Sequence, residues 1–263
     1  MKEAILKALS PDYPWKSQFT WFDTVDSTNN YLKAQALLGA PHGSVAVADC
    51  QTGGKGRLGR SFQSPGGVGV YLSILLRPQR PPEEFLHLTC AVGTAMCDAL
   101  ERACGIRPGI KWTNDLVFGR KKAAGILTEL GTDGTEYYAV VGIGVNCCQK
   151  AADFPPELRD KATSLAMEAG RPIDRSVVAA AMMDALYRME QGLFTGKEAM
   201  LSQYKKDCVT LGKEISLVRG DEVSHGTALD IGENGDLIVR FENGTVRPVS
   251  SGEVSVRGMY GYV

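Results

Sequence analysis

The sequence predicts an α+β fold in which a mixed or antiparallel sheet carries packed helices and is followed by a small all-β barrel. Three patterns lead there. Residues 109–146 hold four strand-like runs, IKW, LVF, AAGILTEL and YYAVVGIGVN, separated by Thr113-Asn114-Asp115, Gly119-Arg120-Lys121 and Asp133-Gly134, the punctuation of a meander. Two long stretches, residues 84–103 and the chain from Asp174 onward, carry apolar residues at helical spacing. Residues 213–256 alternate in short strands broken by Arg219-Gly220-Asp221, Glu233-Asn234-Gly235-Asp236 and Asn243-Gly244, which reads as a small barrel. A boundary near Leu211 divides the chain into domains of residues 1–211 and 212–263.

Taken in order, residues 19–25 (FTWFDTV) make a short strand. Asp26-Ser27-Thr28-Asn29 then offers N-caps to a helix bearing Tyr31, Leu32, Gln35, Ala36 and Leu38, which ends at residues 39–41. Such a cluster also presents hydroxyls and free N–H groups to a polar ligand head. Residues 43–50 and 68–76 read as buried strands. The helix over 84–103 shows its stripe at Phe85, Leu88, Val92, Ala95, Met96, Ala99, Leu100 and Ala103 and closes at Gly105. Val177, Val178, Ala181, Met182, Ala185, Leu186, Met189 and Leu193 mark a second helix; Met200, Leu201 and Tyr204 mark a third that ends by Gly212.

Composition narrows the function. With 263 residues, 44% of them hydrophobic, the chain can bury a large core, and a net charge of −1 supplies no overall field for nucleic acid or an anionic membrane. The seven cysteines are odd in number and form no C-x-x-C pair, which argues against zinc and against a disulfide framework and fits a reducing cytoplasm. Cys90, Cys97 and Cys104 recur every seven residues, one face of a helix, and read as core. Residues 1–18 hold no apolar run of signal-peptide length, being interrupted by Lys2, Glu3, Lys7, Asp12 and Lys16, and no other segment approaches the length of a membrane span.

The candidate site is the segment 51–73, QTGGKGRLGRSFQSPGGVGVYLS. Its glycines at 53, 54, 56 and 59 free backbone N–H groups, and Lys55, Arg57 and Arg60 add positive charge, so the loop suits an anion. Composition alone also allows a merely solvated loop; anchoring between two buried strands favours a functional one. It is no Walker loop, because Gly56 and not a hydroxyl residue follows Lys55. The spacing Gly54-x-Gly56-x-x-Gly59 matches a dinucleotide fingerprint, but Pro65, Gly66, Gly67 and Gly69 block the helix that fingerprint requires. Lys111, Asn114, Asp115, Lys122 and Asn146 gather at strand ends, and Gly125, Gly142 and Gly144 permit close approach.

Set in order, Ser27-Thr28-Asn29, Gln51 with Gly54-Lys55-Gly56-Arg57-Leu58-Gly59-Arg60, Lys111-Trp112-Thr113-Asn114-Asp115, Lys122 with Gly125, and Gly142-Ile143-Gly144-Val145-Asn146 resemble the biotin protein ligases. The resemblance runs from Ser27 to the C-terminus. It implies a catalytic domain like that of class II aminoacyl-tRNA synthetases, an SH3-like C-terminal barrel, and a two-step reaction through biotinyl-5′-AMP. It further implies biotin and ATP as substrates, magnesium arriving with ATP, and a lysine of a biotin carboxyl carrier domain of a carboxylase as acceptor.

By the same resemblance, Arg57 and Lys122 are the catalytic cations. Ser27, Thr28, Asn29 and Gln51, with Lys55, Gly56, Arg57 and Lys122, would surround biotin. Arg57, Arg60, Phe62, Lys111, Asn114, Lys122 and Asn146 would contact ATP or the adenylate, and Asp115 is a candidate magnesium ligand. Phe62 stands where many members carry tryptophan, Lys55 where arginine is usual, and Thr113 where proline is common. Repressor-type members begin with a DNA-binding winged helix; only residues 1–18 precede the first strand here, so no operator binding is expected, and the near-zero net charge and lack of a spanning segment lead us to expect no membrane partner. Monomer and homodimer stay open. A lipoate or octanoate ligase or transferase of the same fold, and a non-catalytic biotin sensor, are the competing functions.

Overall fold

The computed structural model of the protein describes residues 1–250 and 255–258. The chain runs through α1 (Lys2–Ala8), β1 (Phe19–Val25), α2 (Thr28–Leu37), β2 (Ser44–Gln51), β3 (Gly69–Leu76), α3 (Leu88–Cys104), β4 (Gly109–Lys111), β5 (Asp115–Phe118), β6 (Lys121–Thr132) and β7 (Tyr137–Asn146). It continues with α4 (Leu165–Ala169), α5 (Arg175–Gly192), α6 (Lys197–Asp207), β8 (Glu214–Arg219), β9 (Glu222–Ile231), β10 (Leu237–Phe241), β11 (Val246–Val249) and β12 (Ser255–Gly258).

Strands β1 to β7 form one seven-stranded sheet in the order β1-β2-β3-β7-β6-β5-β4, and β8 to β12 form a five-stranded antiparallel sheet. The first sheet is mixed: β1 runs parallel to β2, and the other pairs are antiparallel. The parallel pair follows from the connection, since α2 lies between β1 and β2 and a crossover helix returns the chain in the same direction.

Side-chain alternation along the central strands separates scaffold from site. On β3, Val70, Leu72, Ile74 and Leu76 enter the main core; on β7, Ala139, Val141, Ile143 and Val145 do the same, as do Ala124 and Ile126 of β6. This face is covered by α3 and α5. The opposite face receives Ser73, Gly142, Gly144 and Gly125, and at its other end a smaller core joins Leu75, Tyr138 and Val140 to Leu32 and Ala36 of α2. Apolar burial thus fixes the register, and the register sends every second residue toward α2.

The helices follow their end signals. Ser27 caps α2 by accepting from the Asn30 N–H, Asp174 caps α5 through the Ser176 N–H, and Gly105 closes α3 with a φ of 75°. The expected helix over 84–103 starts later: Pro82–Phe85 is a separate 3-10 turn, and α3 begins at Leu88. The third helix stops at Asp207, because the following residues turn to pair with β4, where the Val209 N–H donates to the Ile110 carbonyl at 2.9 Å. Cys90, Cys97 and Cys104 are buried on α3, as their spacing predicts.

Helix α1 adds an element to those expected above, and Glu3 in its first turn and Lys7 in its last suit the helix dipole. It packs on α5, and Ile5, Leu9, Tyr13 and Trp15 join the main core. Seven residues are too few to make a helix stable alone, so tertiary packing supplies its stability.

Candidate active site

Two adjoining hollows open on the α2 side of the sheet. The smaller is lined by the α2 N-terminus, Gln51, residues 55–57 and the glycines of β6 and β7; the larger extends past Lys111 and Asn146 to the segment 149–162. Gly56, Arg57, Phe62, Asn114 and Lys122 line both and form the seam.

The floor comes from strand register. Gly144 lies between Tyr71 of β3 and Gly125 of β6, and Gly142 lies between Ser73 and Leu127. A methyl group on Gly144 would come within 2.5 Å of the Phe62 ring, and one on Gly142 would collide with the Asn29 amide. Here the missing side chains are a requirement of close approach, so Phe62 and Asn29 can rest on bare backbone.

A hydrogen-bonded network wires the small hollow. The Thr28 N–H and hydroxyl both donate to Gln51 Oε1, at 2.9 and 3.0 Å, and Gln51 Nε2 donates to Ser64 Oγ at 3.0 Å. Ser73 Oγ, fully buried, sits 2.7 Å from Thr28 Oγ1 and 2.6 Å from Asn29 Oδ1. The Asn29 amide donates to Glu129 at 2.8 Å, and Glu129 pairs with Lys33 at 2.6 Å. Burial pushes the Glu129 carboxyl upward, but hydrogen bonds from Lys33 and Asn29 outweigh it and hold the group below the ordinary glutamate range.

The glycine-rich loop has internal structure despite its glycines. Residues 51–64 fold back on themselves, with Gln51 N–H to Ser64 O at 3.0 Å, Phe62 N–H to Gly54 O at 2.9 Å and Gly56 N–H to Arg60 O at 2.7 Å. Its tip is a 3-10 turn, Arg57–Gly59, in which Leu58 takes a φ of 55°. No helix follows; the chain enters β3. Lys55 Nζ reaches Asn30 Oδ1 at 2.7 Å, docking the loop on the start of α2, and Asn30 in turn donates to Asp26 at 2.7 Å.

At the seam, an Arg57 guanidinium N–H donates to Asn114 Oδ1 at 2.9 Å, and Asn114 Nδ2 donates to the Ile126 carbonyl at 3.0 Å. Burial pulls the Arg57 pKa below its ordinary value, with Asp115 pushing back, so a cation is held partly stripped of water. Lys122 Nζ contacts Asp115 Oδ1 at 2.6 Å and lies 5.8 Å from the centre of the Phe62 ring. The Asp115 carboxylate, a candidate for magnesium, is therefore engaged with Lys122, and among the described residues no group of three or more His, Cys, Asp or Glu is placed to hold a metal.

The remaining expected residues fall in the larger cleft. Lys111 and Asn146 are both 7% exposed, and Asn146 Nδ2 donates to the Thr163 carbonyl at 3.0 Å. Arg60 lines the same cleft. Thr113 lies beside it; its carbonyl accepts from the Tyr204 hydroxyl at 3.1 Å, and Trp112 Nε1 donates to Gly235 O at 2.9 Å, so α6 and the β9–β10 turn brace the KW-x-ND run.

Sequence reasoning missed Ser64, Ser73, Glu129 and Gln149, and the cleft wall from Asp153 to Ala162. Ser73 carried a signal, being the polar residue in an otherwise apolar buried strand. The wall carried none: Lys161 and Thr163 hold Lys122 by its own backbone, at 2.8 and 2.9 Å, through a contact the linear order hides.

A polar hollow opening at a cationic seam into a larger cleft lined by Arg57, Arg60, Lys111 and Lys122 is a site of the kind enzymes use to bring anionic substrates together. The comparisons agree on the kind. The family model for the biotin/lipoate A/B protein ligase family matches residues 21–146, and that for the biotin protein ligase C-terminal domain matches residues 210–257. The biotin–[acetyl-CoA-carboxylase] ligase of Paracoccus denitrificans is 35% identical over 225 residues, covering 82% of this chain and 91% of its own. The bifunctional ligase/repressor BirA of Bacillus subtilis is 34% identical over 242 residues, 90% of this chain and 73% of its own. Among solved structures, the Aquifex aeolicus biotin protein ligase in complex with biotin and ATP superposes with a TM-score of 0.77 at 34% identity, over 91% of this chain and 98% of that one. The chain belongs to the biotin protein ligase family.

Proposed function

We propose that the protein joins biotin to a lysine of a biotin carboxyl carrier domain of a carboxylase at the expense of ATP. The observation that carries this reading is the seam: Arg57 and Lys122 line both the small polar hollow and the larger basic cleft. Biotin occupies the first, its fused rings on the glycine floor and its ureido group against the Ser27, Thr28, Asn29 and Gln51 network. MgATP occupies the second. The two anions then meet between the two cations.

In the first step a biotin carboxylate oxygen attacks the α-phosphorus, the bond to the pyrophosphate leaving group breaks, and biotinyl-5′-AMP forms. Negative charge concentrates at the seam, where preorganised cations with few waters around them stabilise it best. Arg60 and Lys111 extend the positive charge along the triphosphate, Phe62 offers its ring to the adenylate, and Asn114 and Asn146 lie on the nucleotide side. In the second step the neutral amine of the acceptor lysine attacks the acyl carbon, loses a proton, and AMP leaves. Lys55 and Gly56 close the hollow above the acyl chain.

The test is mass spectrometry of a purified carrier domain incubated with the protein, biotin, MgATP and, in parallel, lipoate in place of biotin. One biotinyl group on one lysine is expected; lipoylation in preference would favour the lipoate reading, and biotin binding without adenylate would make the protein a sensor. Operator DNA has no role in this proposal, and a specific, biotin-dependent gel-shift complex would overturn that part. Consumption of ATP and seven free cysteines suit a cytoplasmic setting.

A further inference from the structure

We propose that Glu129 is a positioning residue for biotin, holding the Asn29 amide in one orientation and so setting the direction of the hydrogen bonds that run through the small hollow to Gln51. The inference rests on the placement of biotin in that hollow. Asn29 lines it, whereas Glu129 lines neither hollow and acts through Asn29.

Regular structure places both partners. Leu127 and Glu129 follow Gly125 on the face of β6 that looks toward α2. Asn29 and Lys33 lie one turn apart on α2, so both reach the same carboxylate: Lys33 Nζ is 2.6 Å from Glu129 Oε1, and Asn29 Nδ2 donates to Oε2 at 2.8 Å. Lys33 is partly exposed and Asn29 is buried, so the amide is the inner end of this clamp.

The buried amide has two ways to sit, and its neighbours differ in what they allow. Ser73 Oγ, 2.6 Å from Asn29 Oδ1, would serve either one, because a hydroxyl both donates and accepts. The Glu129 carboxylate only accepts, as does the Leu127 carbonyl at 3.4 Å, so the amide nitrogen faces them and its oxygen faces Ser73. That oxygen takes the one hydrogen of the Ser73 hydroxyl. Thr28 Oγ1, 2.7 Å from Ser73 Oγ and 3.0 Å from Gln51 Oε1, therefore has an acceptor to turn to when a ureido N–H of biotin takes its place on Gln51. A carboxylate outside the hollow thus decides which lone pairs meet biotin, and a network oriented beforehand loses less on binding.

The test is calorimetric titration of biotin into wild type and three variants: Glu129→Met keeps the length and removes the acceptor, Glu129→Gln keeps one acceptor oxygen, and Lys33→Met breaks the ion pair but leaves the carboxylate. Glu129→Met should raise the biotin Kd by about 10-fold or more, and the other two by no more than about 3-fold, since each still offers Asn29 an acceptor. At saturating biotin, kcat for pyrophosphate exchange should stay within about 2-fold, because a ground-state contact is lost. In an Asn29→Ala background, Glu129→Met should weaken biotin no further. An unchanged Kd in Glu129→Met, an equal loss in Lys33→Met, or a further loss in the Asn29→Ala background overturns the inference. Should Glu129→Met not fold, hydrogen exchange of the Asn29 side-chain amide in wild type, read by NMR, decides: slow exchange is expected, and rapid exchange overturns it. Wild type that binds no biotin would instead refute the ligase reading.

Discussion

Lys122 Nζ lies 2.6 Å from Asp115 Oδ1, across a pair of neighbouring strands whose register sets Asp115 opposite Gly125. The carboxylate thus holds the ammonium at the rim of the glycine floor, above the Phe62 ring, where both substrates would place negative charge. Lys122→Met should reduce adenylation by about 10²–10³-fold in kcat, the cost of removing one preorganised charge from a reacting centre. Asp115→Asn should cost less, about 10-fold, because the ammonium stays but loses its anchor. Biotin-dependent pyrophosphate exchange measures both. An Asp115 variant with no exchange at any magnesium concentration would instead place the carboxylate on the metal.

Arg57 spans the seam and donates to Asn114. Arg57→Gly should slow adenylation and let the reactive adenylate escape onto lysines of bystander proteins, since the loop loses its hydrogen bond to Asn114 in the β4–β5 turn. Blotting for biotin after incubation with a non-acceptor protein checks this. Wild-type rate and wild-type acceptor selectivity together would contradict it.

Gly142 carries Asn29 against its bare backbone. Gly142→Ala should raise the biotin dissociation constant more than 10-fold and destabilise the protein by about 1–3 kcal/mol, the cost of overpacking a tight site. Calorimetry and urea titration read the two effects. Wild-type biotin affinity in this variant would show that Asn29 does not shape the hollow.

Glu129 should make stability fall with acid. Its folded-state pKa is depressed, so its contribution is present above the unfolded value of about 4.3 and fades as pH falls through the lower folded value. Wild type should be more stable than Glu129→Gln near pH 7, and the difference should shrink toward pH 3. Urea midpoints at both pH values test the sign; a gap that widens in acid would refute it.

Trypsin should find the tip of the glycine-rich loop, where Leu58 is 62% exposed next to Arg57 and Arg60. Cleavage after Arg57 or Arg60 is expected to slow when biotin and MgATP are both present, since those ligands would lie against the same side chains. Equal cutting with and without ligand would leave the loop a fixed cradle.

Much of this was legible in the chain. The apolar alternation of residues 137–146 fixed which of its residues face the helices, and so placed Gly142, Gly144 and Asn146 together on the other face. Gly105 and Ser27 marked helix ends by local chemistry alone. The segment 149–162 was illegible, because its role is to contact Lys122 and Asn146 through backbone and amide groups that any sequence can supply. Helix α1 carries weak local signals, Glu3 in its first turn and Lys7 in its last, but seven residues are too few for these to suffice, and burial against α5 decides the helix.

The glycine-rich loop shows where the division falls. The sequence by itself determined its charge, its conformational freedom and its anchoring between two buried strands, since these depend on residue type and near neighbours. The tertiary structure decided what it faces: Lys55 against Asn30, Arg57 against Asn114, and Phe62 over Gly125 and Gly144. Those partners lie 25 or more positions away along the chain, and only strand order and register, settled by burial of the opposite face, bring them within hydrogen-bonding distance.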